Sequence, residues 1–550
     1  MSRSDPPKPG VDAHWHAALG RLTAGLSPTA LATAYVDWAM HMMGSPEKQA
    51  TLAKRAWAET VEPKERHDRR FADPAWAAFP YNVMAQRFLA AQDWWEAATT
   101  GLAGVDPKHA QVVNFTARQW LDMFSPANFA LTNPQVLDRT RKTGGQNLML
   151  GAQYWVEDFG RLMRKEPRAS GTFKVGETLA TTPGDVVMRN ELAELIRYRP
   201  TTDRVHPEPI LIVPAWIMKF YILDLTAQRS LVAYLRDQGF EVFILSWKNP
   251  DASDADLSMQ DYVDLGPRAA IEAITSMGHD RIHAAGYCLG GTLLSITAAA
   301  LARDGDKTFA SVSLLAAQVD FSEPGELGLF INESQVAFLE DIMATTGYLK
   351  ADQMAGAFQL LRSNDLIWSR VIRHYLLAER TADNPLLAWN ADTTRMPARM
   401  HAEYLRRLFL KNDLAKGRFK VDGTAVSLSD IRADVYCVAT ETDHVSPWVS
   451  VYRLSLLTDT DVTFVLTNGG HNGGILSEPG HLGRHFRSAH KTEGDKHKTA
   501  AAWIAEHGPQ DGSWWPHWAA WLKKRSGART KHTRALETVM GAAPGRYVLG

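Results

Sequence analysis

Two hydrophobic spacings divide the chain. In residues 1 to about 170, apolar positions recur at helical spacing: His14 to Gly25, Pro28 to Met43, Lys48 to Val61, and Trp76 to Gly101 with a dense face of aromatics and alanine. Pro107 to Phe124 predicts a further helix, opened by Pro107 and stopped by Ser125-Pro126. Asn133-Pro134 opens a long amphipathic segment to about Lys165. No strand alternation interrupts these, so residues 1–170 are expected to form an all-helical N-terminal domain.

Near Gly171 the character changes. Phe173 to Val175 and Asp185 to Asn190 predict short strands around a Thr-Pro-Gly turn. Ile210 to Val213 is a continuous apolar run, the mark of a strand buried on both faces. Strands at Glu241 to Ser246, Arg281 to Ala285, Ala310 to Leu315, Val435 to Thr440 and Val462 to Leu466 follow. Helices at Ser230 to Gly239, Ser258 to Met277 and Thr292 to Arg303 lie between the earlier ones. This alternation implies an α/β domain over residues 171–550, with a parallel sheet covered on both faces. From about 321 to 430 it stops, and a mostly helical insert between two sheet strands predicts a cap over the active-site edge.

Composition narrows the functional classes. A length of 550 residues suggests more than one core, and 45% hydrophobic with 22% charged residues is ordinary for a globular protein. The formal net charge of −1 gives no electrostatic reason to bind nucleic acid or a membrane surface. Two cysteines, Cys288 and Cys437, exclude a disulfide framework. The N-terminus has no apolar h-region and no run of apolar residues is long enough for a transmembrane helix, so a cytoplasmic protein is expected. Eighteen tryptophans suit an apolar pocket but are first of all core.

Gly286-Tyr287-Cys288-Leu289-Gly290 carries the chemistry. A strand precedes it and a helix follows, the setting of a nucleophile elbow, with Cys in place of Ser. Side chains two positions before and after the nucleophile would strike neighbouring backbone, which accounts for both glycines. The helix N-terminus favours a thiolate and aims N–H groups at an oxyanion. Such a nucleophile needs a base, and the base an orienting carboxylate. In an α/β-hydrolase fold these follow in the order nucleophile, acid, His. Asp443 lies just after the strand ending at Thr440, and His471, among glycines, just after the strand ending near Leu466. The oxyanion hole is expected from the Leu289 N–H and one N–H after the first long strand, Ile217 in preference to Trp216. Other residues could mislead. Asp320 at a strand end is an alternative acid, His444 adjoins Asp443, His283 lies inside the strand before the elbow, and Cys437 lies mid-strand. No His/Cys/Asp cluster has metal-ligand spacing, and no Gly-rich loop fits a phosphate or dinucleotide.

Longer stretches resemble the polyhydroxyalkanoate synthases, particularly the long single-subunit, class I-like kind. They include Phe115-Thr116-Ala117-Arg118-Gln119-Trp120, Ser125-Pro126-Ala127-Asn128-Phe129, Lys219-Phe220-Tyr221-Ile222-Leu223-Asp224-Leu225 and Ser246-Trp247-Lys248-Asn249-Pro250-Asp251. After the elbow come Asn364-Asp365-Leu366-Ile367-Trp368, Leu387-Ala388-Trp389-Asn390, Gly512-Ser513-Trp514-Trp515-Pro516 and Pro544-Gly545-Arg546-Tyr547. The resemblance implies a Cys288, Asp443, His471 triad and polymerisation of (R)-3-hydroxyacyl-CoA with release of CoA. It also implies no cofactor, a homodimer, and work at the surface of cytoplasmic polyester granules, with the helical domain serving dimerisation and granule contact. Ala398-Arg399-Met400-His401-Ala402-Glu403-Tyr404 is more charged and less aromatic than the family pattern. Two rival functions are an acyl-CoA thioesterase or esterase of the same fold, and a non-catalytic granule-associated partner of a separate synthase.

Overall fold

The computed structural model describes residues 10–23, 25–61, 65–164, 172–350, 353, 367–380, 384–531 and 539–550. The motif residues Asn364, Asp365 and Leu366 lie outside them. The chain forms two compact units. One joins Ala18–Arg168 with Gln353–Asp383, and the other joins Met1–Ala17, Ala169–Asp352 and Asn384–Gly550.

The first unit is helical, and its helices begin where the sequence supplies caps. Ser27 accepts the Ala30 N–H ahead of Pro28–Met43, and Asp106 accepts the Lys108 N–H ahead of Pro107–Met123. Ala34, Val112 and Val113 make one buried cluster, packed by Leu31, Tyr35 and Trp38. Two of the predicted helices are divided. Trp76 to Gly101 becomes a short 3-10 turn, Pro74–Ala77, and a helix, Tyr81–Thr99, because Pro80 cannot lie within a helix interior. The segment from Pro134 to Lys165 breaks into Pro134–Lys142 and Gln146–Arg164 at Gly144 and Gly145, whose φ angles are 59° and 86°.

The second unit is built on one eleven-stranded sheet. In chain order its strands are β1 (Asp185–Arg189), β2 (Ala193–Tyr198), β3 (Ile210–Val213), β4 (Val242–Trp247), β5 (Ile282–Tyr287), β6 (Phe309–Leu315), β7 (Asp434–Thr440), β8 (Val462–Thr467), β9 (His485–Lys491), β10 (Gln510–Asp511) and β11 (Gly541–Ala542). Across the sheet they run β10-β9-β8-β7-β6-β5-β3-β4-β2-β1-β11. Only the central strands, β4 and β3 through β5, β6, β7 and β8, are parallel; β2, β1 and β11 on one flank and β9 and β10 on the other are antiparallel. The all-parallel expectation therefore fails at both edges.

The central strands are buried along nearly their whole length, as continuous Val, Ile and Leu runs require. Each such side chain contributes about 1.5–3 kcal/mol on burial. β3 has β4 on one side and β5 on the other. The chain thus reverses its direction of travel across the sheet there, and crevices for ligands open at such a point beyond the strand C-termini. Between β6 and β7 the described residues are mostly helical, including Glu333–Ala344, Pro385–Ala391 and Ala398–Tyr404. Phe173 to Val175, expected as a strand, makes only one isolated bridge, from Val175 to Leu179.

Candidate active site

The turn after β5 is the sharpest feature of the sheet edge. Cys288 has φ 54° and ψ −128°, and the helix Leu289–Arg303 starts directly behind it. A non-glycine residue held there costs on the order of 1–3 kcal/mol, so the surroundings must enforce it. They do. The Cys288 N–H donates to the Leu315 carbonyl of β6 at 2.9 Å, and the Cys288 carbonyl accepts the Gly291 N–H at 2.9 Å. A Cβ on Gly286 would lie 2.8 Å from the Gly291 nitrogen, and one on Gly290 would lie 2.5 Å from the Pro214 carbonyl carbon. The elbow glycines are spaces through which two backbones pass.

Cys288 is 7% exposed. His471 lies within electrostatic reach of it, and the ring's Nδ1 meets Asp443 Oδ2 at 2.8 Å. Asp443 Oδ2 also accepts the Thr440 hydroxyl at 3.0 Å, while Oδ1 accepts the N–H groups of Val445 at 2.9 Å and Ser446 at 2.8 Å. Burial alone would raise the Asp443 carboxyl, but the His471 charge and these hydrogen bonds hold it below the usual carboxylate range. For His471 burial opposes the proton, yet Cys288 and Asp443 together hold the ring well above the usual imidazole range. The His471–Asp443 hydrogen bond and Cys288 thus lie at the C-terminal ends of β8, β7 and β5.

Helices behind these residues support them. The indole N–H groups of Trp514 and Trp515 donate to the Gly474 and Ile475 carbonyls at 3.1 and 3.0 Å, so two of the motif tryptophans brace the loop that carries His471. The loop after β3 is tied through its carbonyls. Pro214 accepts the Trp247 indole N–H at 2.9 Å, Trp216 the Thr394 hydroxyl at 2.6 Å, and Lys219 the Trp389 indole N–H at 2.8 Å. In a trans peptide the carbonyl and the next N–H point in opposite directions. Fixing the Trp216 carbonyl therefore fixes the direction of the Ile217 N–H. Leu289 opens its helix, where an N–H has no carbonyl one turn back to receive it. An aromatic wall is built around Trp216, in the loop after β3. Tyr404 packs edge-on against Trp216 at 5.9 Å, and Trp216 against Tyr262 at 5.7 Å. Burial first, and then Cys288, raise the Tyr404 phenol well above its ordinary value. The stretch Ala398 to Tyr404 packs on Trp216 through its last residue, while buried His401 is pushed down to about 4 by desolvation.

The remaining candidates go elsewhere. Asp320 accepts from Ser322 and Asn412 and pairs with Arg453. His444 faces Glu326 at 3.8 Å. His283 is buried between Ser311 and Ser526, and desolvation lowers it to about 3. Cys437 packs mid-strand in β7. Among the described residues no group of three or more His, Cys, Asp or Glu is placed to hold a metal ion, and no helix is long and apolar enough to cross a membrane. Thr394 and Thr440, which fix these parts, carry no motif that marks them in the sequence.

Comparisons place this chain in a family. Residues 208–477 match the α/β-hydrolase fold, residues 67–235 the N-terminus of poly-beta-hydroxybutyrate polymerase (PhaC), and residues 6–48 the poly-beta-hydroxybutyrate polymerase N-terminal family. The poly(3-hydroxyalkanoate) polymerase of Methylorubrum extorquens is 39% identical over 507 residues, 90% of this chain and 83% of that one. The polymerase subunit PhaC of Rhizobium meliloti is 36% identical over 521 residues, 92% of this chain and 84% of that one. Its counterpart in Cupriavidus necator is 36% identical over 499 residues, 88% and 83% of the two chains. On an α/β-hydrolase fold preceded by a helical region, this chain belongs to the poly(3-hydroxyalkanoate) polymerase family.

Proposed function

We propose that the protein polymerises (R)-3-hydroxyacyl units delivered by coenzyme A, and that Cys288 carries the acyl group as a thioester. The observation that carries this reading is the line Cys288–His471–Asp443 at the sheet's switch point, in a chain of the polymerase family. His471 takes the Cys288 proton, and the sulfur attacks the thioester carbonyl of the acyl-CoA. The Leu289 and Ile217 N–H groups receive the oxyanion. Collapse breaks the bond to the coenzyme A sulfur, which leaves with the proton from His471. One thioester has replaced another, so the acyl group stays activated. The 3-hydroxyl of the next unit then attacks the Cys288 thioester, and His471, oriented by Asp443, takes the hydroxyl proton. An ester forms, the Cys288 sulfur leaves with the proton from His471, and the chain, one unit longer, ends in that unit's coenzyme A thioester, which Cys288 attacks in turn to release the CoA and take the chain back. Asp443 keeps His471 in the tautomer that presents its other nitrogen to Cys288. Burial of Cys288 and the aromatic wall keep out water, which would hydrolyse the same intermediate. Every bond and proton is handled by these residues, without a cofactor.

The reading extends to organisation. Residues 1–170 serve dimerisation and granule contact, residues 171–550 catalysis, and the segment at about 321–430 caps the site. The working form is a homodimer at the surface of cytoplasmic polyester granules. The test is to incubate the purified protein with (R)-3-hydroxybutyryl-CoA, follow thiol release and identify the acyl product. Release with insoluble polyester supports the reading. Release with free 3-hydroxybutyrate makes the protein a thioesterase, and no release points to a different acyl chain or to a non-catalytic partner.

A further inference from the structure

His471 has far to reach. Its loop leaves β8, and Cys288 follows β5, three strand spacings or about 14 Å across the sheet. Asp443, which follows β7, holds the ring from the near side only. A hydrogen bond through Nδ1 fixes one atom of the imidazole and leaves rotation about that contact. Something must hold the far side over the elbow.

Tyr287, the last residue of β5 and the neighbour of Cys288, lies in position to do so. Its ring stacks on the His471 ring at 5.7 Å between centroids and 30° between planes. Its hydroxyl donates to Asn472 Oδ1 at 2.5 Å, on the residue directly after His471. The Asn472 carbonyl in turn accepts the Leu476 N–H at 3.0 Å, which ties it into its own loop. We propose that Tyr287 and Asn472 form a second tether that positions His471 over Cys288, so that the strand bearing the nucleophile also holds the base. The inference rests on the reading of Cys288 and His471 given above. Tyr287 is a positioning residue: it supplies no proton to the reaction, since burial, then Cys288 and Asp443, hold its phenol proton firmly.

The test uses the full-length enzyme with Tyr287→Phe, which keeps the ring stack and removes only the hydroxyl, and Asn472→Ala. Each lowers kcat about tenfold with KM within about twofold, because a misplaced base slows the chemistry and leaves binding intact. The double variant loses no more than the worse single one, because the two groups act as one bond. Peptide-resolved labelling of Cys288 by iodoacetamide at pH 7 falls roughly three- to tenfold in Tyr287→Phe, since a thiol separated from its imidazole reacts more slowly. A purely structural role would lower the melting temperature and leave this labelling rate alone. Wild-type kcat and labelling in Tyr287→Phe, or losses that multiply in the double variant, overturn the tether. His471→Ala is the control. If it too labels like wild type, the pairing of Cys288 with His471 fails and the tether with it. If it labels slowly while Tyr287→Phe labels normally, the tether alone is wrong.

Discussion

The chain has two cysteines, both buried and two strands apart in one sheet, and their surroundings differ in every respect that matters to a nucleophile. Cys437 lies inside β7, 1% exposed, with its sulfur 4.0 Å from the Val451 carbonyl, and burial pushes its thiol up. Cys288 stands just past the end of β5 on a left-handed turn, at the start of a helix, within electrostatic reach of His471. Burial is common to both and so cannot be what makes a reactive thiol. The turn that lifts the sulfur off the sheet and the imidazole within its reach are what differ.

The contrast can be broken most severely at the sulfur. Cys288→Ala lowers CoA release by roughly a thousandfold or more while the circular dichroism spectrum and melting temperature stay near wild type. Wild-type release in that variant contradicts the assignment. Removing the acid is next. Asp443→Asn lowers kcat by about 10²–10⁴-fold, because the amide no longer fixes the tautomer of His471.

The same variant has a pH signature in stability. The Asp443 carboxyl is depressed in the fold, so its contribution is present above the unfolded value of about 3.9 and is lost as pH falls through the folded value. His471 is raised, so its contribution is full below about 6.5 and is lost as pH rises through the folded value. The difference in melting temperature between wild type and Asp443→Asn is therefore largest between about pH 4 and pH 6.5 and narrows on either side. A pH-independent difference would show that the carboxylate is not paired.

Gly290→Ala tests the turn itself. The added methyl group meets the Val213 and Pro214 backbone and costs about 1–3 kcal/mol, read by denaturant unfolding, with CoA release lost as Cys288 shifts. The smallest effect belongs to the other cysteine. Cys437→Ala costs about 1–2 kcal/mol of stability and leaves turnover within about twofold.

The parts legible in the sequence were those written contiguously. β3 is four apolar residues in a row, and the helix Pro28–Met43 is bounded by its own cap. The elbow sits between a strand and a helix that the pattern marks, and Asp443 and His471 each follow a marked strand. What escaped was set by partners remote in the chain. β2 is fully buried although it carries Glu194 and Arg197. Its charges are hidden because Glu194 binds Arg189 and the N–H groups of Arg546 and Tyr547, more than 350 residues on. β9, His-Phe-Arg-Ser-Ala-His-Lys, is only partly covered and shows no apolar alternation, so its antiparallel pairing with β8 left no mark. The Thr394 hydroxyl on the Trp216 carbonyl and the Tyr287 hydroxyl on Asn472 join residues 178 and 185 positions apart. No local pattern announces such pairs.

An acyl chain that rides on Cys288 is read at that residue by peptide mass spectrometry after acid quench. Enzyme mixed with (R)-3-hydroxybutyryl-CoA and quenched during turnover is predicted to carry hydroxybutyrate units on the peptide containing Cys288 and none on the peptide containing Cys437. CoA release with Cys288 unmodified at every quench time would contradict the account.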